Sequence, residues 1–210
     1  IGVPAGLQGM VFSVSNVVVQ SQINTFGADA VAGSSAALNF EYYCYFIIQA
    51  FNGAAISFIA QNYGAGLMQR VRRVFWICMI ASVIFCGMMN GIFACFSPFF
   101  LRIFSSSEAI IPYGVTRMHL VLAFQWIACS YEISASALRG MGRSLLPALL
   151  TVVGTCLLRM VWVFAVCPVW PGFHRLMLVY PLSWVLTGVM VVAAYVRFMK
   201  KAGDAPLAVR

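Results

Sequence analysis

Acidic residues are nearly missing from this 210-residue chain, which has five Asp and Glu against 13 Lys and Arg and is only 9% charged. Soluble domains are roughly 25% charged and about 45–50% apolar. A chain that is 62% apolar therefore has far more apolar surface than a water-soluble core of its size can bury, and a soluble globular domain is excluded. Other absences exclude further classes. The two histidines, His119 and His174, lie far apart with no Ser/His/Asp grouping, so neither catalytic residues nor an enzyme are expected. The seven cysteines contain no CxxC pair, which favours small core side chains over a metal site or disulfides. Alternating segments of about 10 residues, the mark of a membrane β-barrel, are lacking. Gly64-Ala65-Gly66 and Gly140-Met141-Gly142 lack the Gly-Lys-Ser/Thr of a phosphate loop and follow no strand, which argues against nucleotide binding. The net charge of +8 lies mostly at the ends of apolar runs, so no nucleic-acid partner is expected. The first residue, Ile1, is already inside an apolar segment without a charged flank. It does not open a signal peptide, and the chain reads as the later part of a longer protein.

What is present is a series of long apolar runs. Breaks at Gly27-Ala28-Asp29, Tyr63 to Gly66, Ser105 to Glu108, Gly140-Met141-Gly142 and Pro168 to His174 divide them into six. At about 20 residues per crossing, they predict an all-α integral membrane protein with spans near 2–26, 30–61, 74–100, 112–138, 145–166 and 176–198. Residues 1–199 then form one transmembrane bundle and 200–210 a cytoplasmic tail. Arg70, Arg72, Arg73, Arg139, Arg143, Arg197, Lys200, Lys201 and Arg210 fall on one side. Arg102, Arg117 and Arg175 fall on the other. The positive-inside bias places both termini in the cytoplasm of a multi-pass cell-membrane protein, with the lipid bilayer as its first partner. Trp162, Trp170, Tyr180 and Trp184 read as an aromatic belt at the outer interface.

Three spans carry polar stripes at helical spacing. Ser13, Asn16, Gln20 and Asn24 share a face of the first; Glu41, Tyr42, Tyr45, Gln49 and Asn52 a face of the second; Gln125, Cys129, Glu132, Ser136 and Arg139 a face of the fourth. Isolated Ser, Asn and Gln side chains glue membrane helices together. Aligned stripes with a carboxylate on two of them point instead to a hydrated cavity, because an ionised acid in hydrocarbon costs roughly 2.5 kcal/mol or more. The candidate substrate or ion-coupling residues are Glu41, Glu132, Tyr45, Gln49, Asn52, Asn16, Gln20, Gln125 and Ser136. Glu41, about 18 Å along its helix from Asp29, is placed near the bilayer midplane and is expected to matter more than Glu132. Arg159, inside the fifth span, is its possible charge partner, and a purely structural pair is the competing reading. For Glu132 a gate salt bridge or snorkelling competes with chemistry.

Several motifs are more specific. Ile1-Gly2-Val3-Pro4-Ala5-Gly6-Leu7-Gln8, Gln61-Asn62-Tyr63-Gly64-Ala65-Gly66, Ala137-Leu138-Arg139-Gly140-Met141-Gly142-Arg143-Ser144 with Pro147, and Arg159-Met160-Val161-Trp162 occur in that order. Together they resemble the second half of MATE (multidrug and toxic compound extrusion) transporters. The resemblance implies one six-helix lobe of a twelve-helix, two-lobed carrier. It also implies alternating access, coupling to Na+ or H+ rather than any cofactor, a missing amino-terminal lobe as partner, and small amphipathic organic cations as exported substrates. The chain departs from the family pattern in its acids. The first helix has none, and the position eleven before Arg139 is Ala128, so the roles of Glu41 and Glu132 rest on chemistry alone. A lipid-linked-substrate flippase of the same superfamily and a non-transporting scaffold or inactive fragment are the alternatives.

Overall fold

A backbone that runs through hydrocarbon must satisfy its own N–H and C=O groups, which leaves only helices for an apolar chain without strand alternation. The computed structural model describes residues 2–105 and 107–204, apart from the side chains of 2–5, 7, 8 and 202–204, and among these residues it is helical with no strand. The side chains of the opening motif, and the tail beyond 204, thus lie outside the described residues. The helices are α1 (Gly2–Asn24), α2 (Ala28–Gly64), α3 (Met68–Cys95) and the short α4 (Ser97–Arg102). They continue with α5 (Ile111–Gly140), α6 (Leu145–Val166) and α7 (Phe173–Lys201).

Five of them, α2, α3, α5, α6 and α7, are long and apolar enough to cross a bilayer. The first helix has 23 residues and is not among the five. Each expected break overlaps a gap between helices, but Ala28, Asp29, Tyr63, Gly64, Gly140, Phe173 and His174 are helical. The third helix begins at Met68 rather than Val74, so Arg70, Arg72 and Arg73 sit on its opening turns. At 37 residues, α2 is about 55 Å long and overhangs a hydrocarbon layer of roughly 30 Å.

Large apolar side chains cover the outside. Trp76, Ile77, Ile80, Ile84, Phe85 and Met88 of α3 are each more than half exposed, a surface suited to lipid and far larger than soluble monomers leave bare. The interior holds an aromatic cluster in which Phe40 packs on Phe93 and Phe100 with ring centroids 5.1 and 5.5 Å away. Tyr180 and Trp184 are only 8% and 7% exposed. They therefore do not belong to an interfacial belt; the Arg117 and Arg159 guanidiniums of α5 and α6 lie 5.3 and 4.5 Å from the Tyr180 ring centroid, and Trp184 packs on Tyr180 at 6.1 Å. Trp170 does remain exposed, with the Arg175 guanidinium 4.7 Å from its ring centroid.

Two devices set the register of α2 against α5. At one end Gly33 and Gly114 let the backbones touch: a Cβ on Gly33 would lie 2.5 Å from the Ile110 carbonyl oxygen. Small residues at such crossings are what allow membrane helices to approach this closely. Farther along, the side-chain links between the two helices keep sequence separations of 80 to 84, so the helices run side by side and in the same direction. At the far end each helix stops in the same turn. The Leu67 N–H donates to the Asn62 carbonyl (2.9 Å) and Gly66 N–H to Tyr63 (3.0 Å). Likewise Arg143 N–H donates to Leu138 (2.8 Å) and Gly142 N–H to Arg139 (3.0 Å). Both are Schellman caps, which need a left-handed residue at the second-to-last position. Gly66 at φ 74° and Gly142 at φ 79° supply it.

Candidate functional site

Residues brought to the α2–α5 seam form two polar clusters, one around each carboxylate. Gly114 pulls the start of α5 against α2, and Arg117, one turn later, extends along α2. Its Nε and Nη2 donate to the two Glu41 carboxylate oxygens at 2.5 and 3.0 Å, and Nη1 donates to Ser34 Oγ at 2.6 Å. The pair is closed to solvent, with side chains 3% and 9% exposed. Gln125 Nε2 donates to the Glu41 main-chain carbonyl at 3.0 Å, which ties the same turn of α2 to α5 again.

Arg159 is therefore not the charge partner of Glu41. Arg117, counted from sequence among the charges of the outer side, holds that place because the close contact of Gly33 with Gly114 sets the start of α5 against α2. Arg159 instead donates from Nη1 to Asn16 Oδ1 of α1 at 2.9 Å. Its guanidinium lies 4.5 Å from the Tyr180 ring centroid, and that of Arg117 lies 5.3 Å from the same ring.

Glu132 sits about four turns beyond Arg117 on α5. Asn52 Nδ2 donates to its Oε2 at 2.9 Å and lies 3.4 Å from Gln49 Oε1. Ser136 Oγ donates to Asn52 Oδ1 at 3.1 Å, and Arg139 Nη2 donates to Ser136 Oγ at 3.2 Å. No cation is within salt-bridge distance of Glu132 among the described residues. Asn52 and Ser136 are buried, Glu132 is half-buried, and Gln49 and Tyr45 are exposed. The carboxylate thus has a neutral, hydrogen-bonded floor and an open side lined by Tyr45 and Gln49. On α1, Asn16 is exposed and Gln20 half-buried; Gln20 Nε2 donates to Asn24 Oδ1 at 3.1 Å. Six of the seven cysteines are buried free thiols in the core, and Cys95 is exposed.

The predicted residues therefore divide. Asn52, Gln49, Glu132 and Ser136 form one connected network. Glu41 and Gln125 belong to the other cluster, and Asn16 joins Arg159. Sequence reasoning missed Arg117 and Ser34, although Gly33-Ser34 and Gly114 with an arginine one turn on were a legible sign of close helix contact beside a charge.

A family model, MatE, matches residues 4–164. The chain belongs to the MatE family. As a member it is 25% identical over 153 residues to "Probable multidrug resistance protein NorM" of Thermotoga maritima, a match covering 73% of this chain and 33% of that protein. Its fold is similar to a MATE protein crystallised in complex with MaL6, with a TM-score of 0.86 at 14% identity, covering 98% of this chain and 47% of that one. It is also similar to an outward-facing multidrug resistance MATE family transporter of the MOP superfamily (TM-score 0.80, 13% identity, 98% and 46% covered). The Vibrio cholerae MATE transporter VcmN in its bent form gives a TM-score of 0.75 at 15% identity, with 95% and 45% covered. This MatE chain thus spans a third of the curated relative and just under half of the solved transporters it matches. It is a multi-pass membrane protein with the fold of one of their halves.

Proposed function

We propose that this chain is one six-helix lobe of an exporter that moves amphipathic organic cations outward against an inward flow of Na+ or H+. Alternating access would operate between this lobe and a second one packed on its polar side, with both termini of the chain in the cytoplasm. The observation that carries the reading is the environment of Glu132. A carboxylate held by neutral donors and open on one side can accept a proton, a small cation or a cationic substrate in turn, and competition among them is what couples an ion gradient to export. Glu41, whose two oxygens are both engaged by Arg117, is the less suited of the two acids, and its role in this reading is to lock α2 to α5.

The test uses the full-length protein in sealed vesicles with an imposed Na+ or proton gradient. Glu132→Gln is expected to abolish gradient-driven uptake of a fluorescent organic cation while the protein folds normally. Unchanged flux with the same pH and sodium dependence would overturn the coupling role of Glu132.

A further inference from the structure

The cations at one end of α6 and α7 have no counter-charge. Arg143 lies just ahead of α6, and Arg197, Lys200 and Lys201 close α7; all four are exposed, and among the described residues none has a carboxylate within salt-bridge distance. Positive residues at helix ends are common in membrane proteins and mark little more than topology. What sets these apart is the surface directly beneath them. The two helices meet where Gly154 packs on Thr187, a Cβ there lying 2.5 Å from the Thr187 hydroxyl oxygen, beside the hydrogen bond between Thr155 and Thr187 at 2.8 Å. The crossing falls on a π-helical stretch of α6, Val152–Leu157. Within about one turn of it a groove of about 700 Å³ opens, lined by Leu146 and Leu150 of α6 and by Val189, Ala193 and Ala194 of α7. The two alanines leave space that larger side chains would fill. At its other end the lining changes to Arg197, Lys200 and Lys201. Arg143 reaches the same rim, its guanidinium 5.7 Å from the ring centroid of Phe198, which also lines the groove. From Val189 to Arg197 is about 12 Å along the helix. The groove is thus apolar over part of the depth of the acyl chains and cationic where headgroup phosphates lie.

We propose that this groove holds one anionic phospholipid of the bilayer, with an acyl chain lying between α6 and α7 and the phosphate received by Arg197, Lys200 and Lys201, and by Arg143 across the rim. Basic pockets between membrane helices recognise anionic headgroups in this way, and a guanidinium matches phosphate oxygens in pairs. Charge complementarity selects the occupant. A zwitterionic lipid offers the same chains and phosphate but adds a cation, which four positive residues without a counter-charge repel. The site uses none of the residues of the α2–α5 seam, so it is independent of the exporter reading.

The test is native mass spectrometry of the full-length protein, stripped of lipid in detergent and titrated with dioleoyl phosphatidylglycerol or dioleoyl phosphatidylcholine, which share their chains and differ in net charge. Phosphatidylglycerol is expected to bind at least tenfold more tightly. Replacing Arg197, Lys200 and Lys201 together by Gln should weaken phosphatidylglycerol at least tenfold and phosphatidylcholine less than twofold. Ala193→Phe, which fills the groove and leaves every charge in place, should weaken phosphatidylglycerol at least fivefold, and it decides the matter if the triple variant fails to fold. Equal affinity for the two lipids, or full phosphatidylglycerol binding by Ala193→Phe, would overturn the site. An equal loss from Arg70→Gln with Arg72→Gln on α3 would overturn it in favour of a general attraction to the positive side of the protein. Glycerol 3-phosphate carries the headgroup charge without chains and should not compete; competition at equal concentration would make this a free-phosphate site instead. Failure of Ala193→Cys to react with a lipid-soluble maleimide in the same detergent would mean that the protein's own other half or tail covers the groove, which also overturns the proposal.

Discussion

Glu41 and Glu132 are both glutamates on neighbouring faces of one helical seam, yet their surroundings differ in the property that separates architecture from chemistry. Glu41 is 7% exposed, and Arg117 donates to both of its carboxylate oxygens. Glu132 is half-buried and receives an amide donor from Asn52, with its nearest arginine, Arg139, bonded to Ser136 instead. A compensated buried charge is fixed in one state, because protonating the acid would strand the arginine. An acid with neutral partners and an open side can change state without unmaking its cluster. Depth in the membrane favours Glu41 from sequence, whereas the proposed function rests on local charge balance and so on Glu132.

The largest effect expected to test this contrast comes from Arg117→Met. Removing one member of a buried pair leaves the other unpaired, which typically costs 3–5 kcal/mol. Thermal melting of the full-length protein should therefore fall sharply, and the double variant Arg117→Met with Glu41→Gln should recover much of the loss. Glu132→Gln keeps an acceptor for Asn52 and is expected to cost no more than about 1 kcal/mol. If the two single variants melt alike, the division between a structural and a functional acid breaks down.

A smaller effect should follow from Gly33→Leu. The contact that a Cβ would make with the Ile110 carbonyl, at 2.5 Å, and with the Gly114 nitrogen, at 2.9 Å, involves backbone on both sides. The helices must separate, at a cost typical of overpacking, about 1–3 kcal/mol. Cysteine cross-linking between α2 and α5 should then weaken around Ser34 and Arg117 while remaining near Asn52 and Ser136. Equal weakening at both ends would mean that the seam moves as one rigid unit and that the two clusters are not independently held.

Much of this was legible in the sequence, for reasons that particular residues make plain. The breaks between the long helices carry Gly, Pro or Ser, and the Gln61 to Gly66 and Leu138 to Arg143 motifs prove to be the same capping turn. The stripe on α2 was read correctly as polar but not as divided: Glu41 and Asn52 face inward, whereas Tyr42, Tyr45 and Gln49 face outward, because a face about 100° wide straddles the edge of the contact with α5. Arg117 was counted only toward the charge balance of the two sides, and the tertiary contact of Gly33 with Gly114 is what sets it against α2. The π-helical turns on either side of Arg159 have no signature in periodicity. The first of them packs on α7 through Gly154, where a Cβ would come within 2.5 Å of the Thr187 hydroxyl oxygen, and through the hydrogen bond between Thr155 and Thr187 at 2.8 Å.

The smallest effect sharpens the comparison at the Glu132 end, where Gly140 packs on α2, a Cβ there lying 3.0 Å from the Ile56 carbonyl oxygen, and a capping turn ends each helix. Gly142 has φ 79° with no atom within 4 Å of a built Cβ, so Gly142→Ala meets no clash. Its cost is the strain of a left-handed alanine alone, about 1 kcal/mol. Gly33→Ala, by contrast, is conformationally harmless in a helix and penalised only by contact with α5. A melting series should therefore show Gly142→Asn close to wild type, since Asn tolerates the left-handed region, whereas no side chain larger than hydrogen restores Gly33. If Gly142→Ala also lowers export while Gly142→Asn does not, the cap positions Arg139 and through it Ser136, Asn52 and the Glu132 carboxylate. If export follows stability in both variants, the turn only terminates the helix, and the Glu132 cluster is set by the α2–α5 side-chain links themselves.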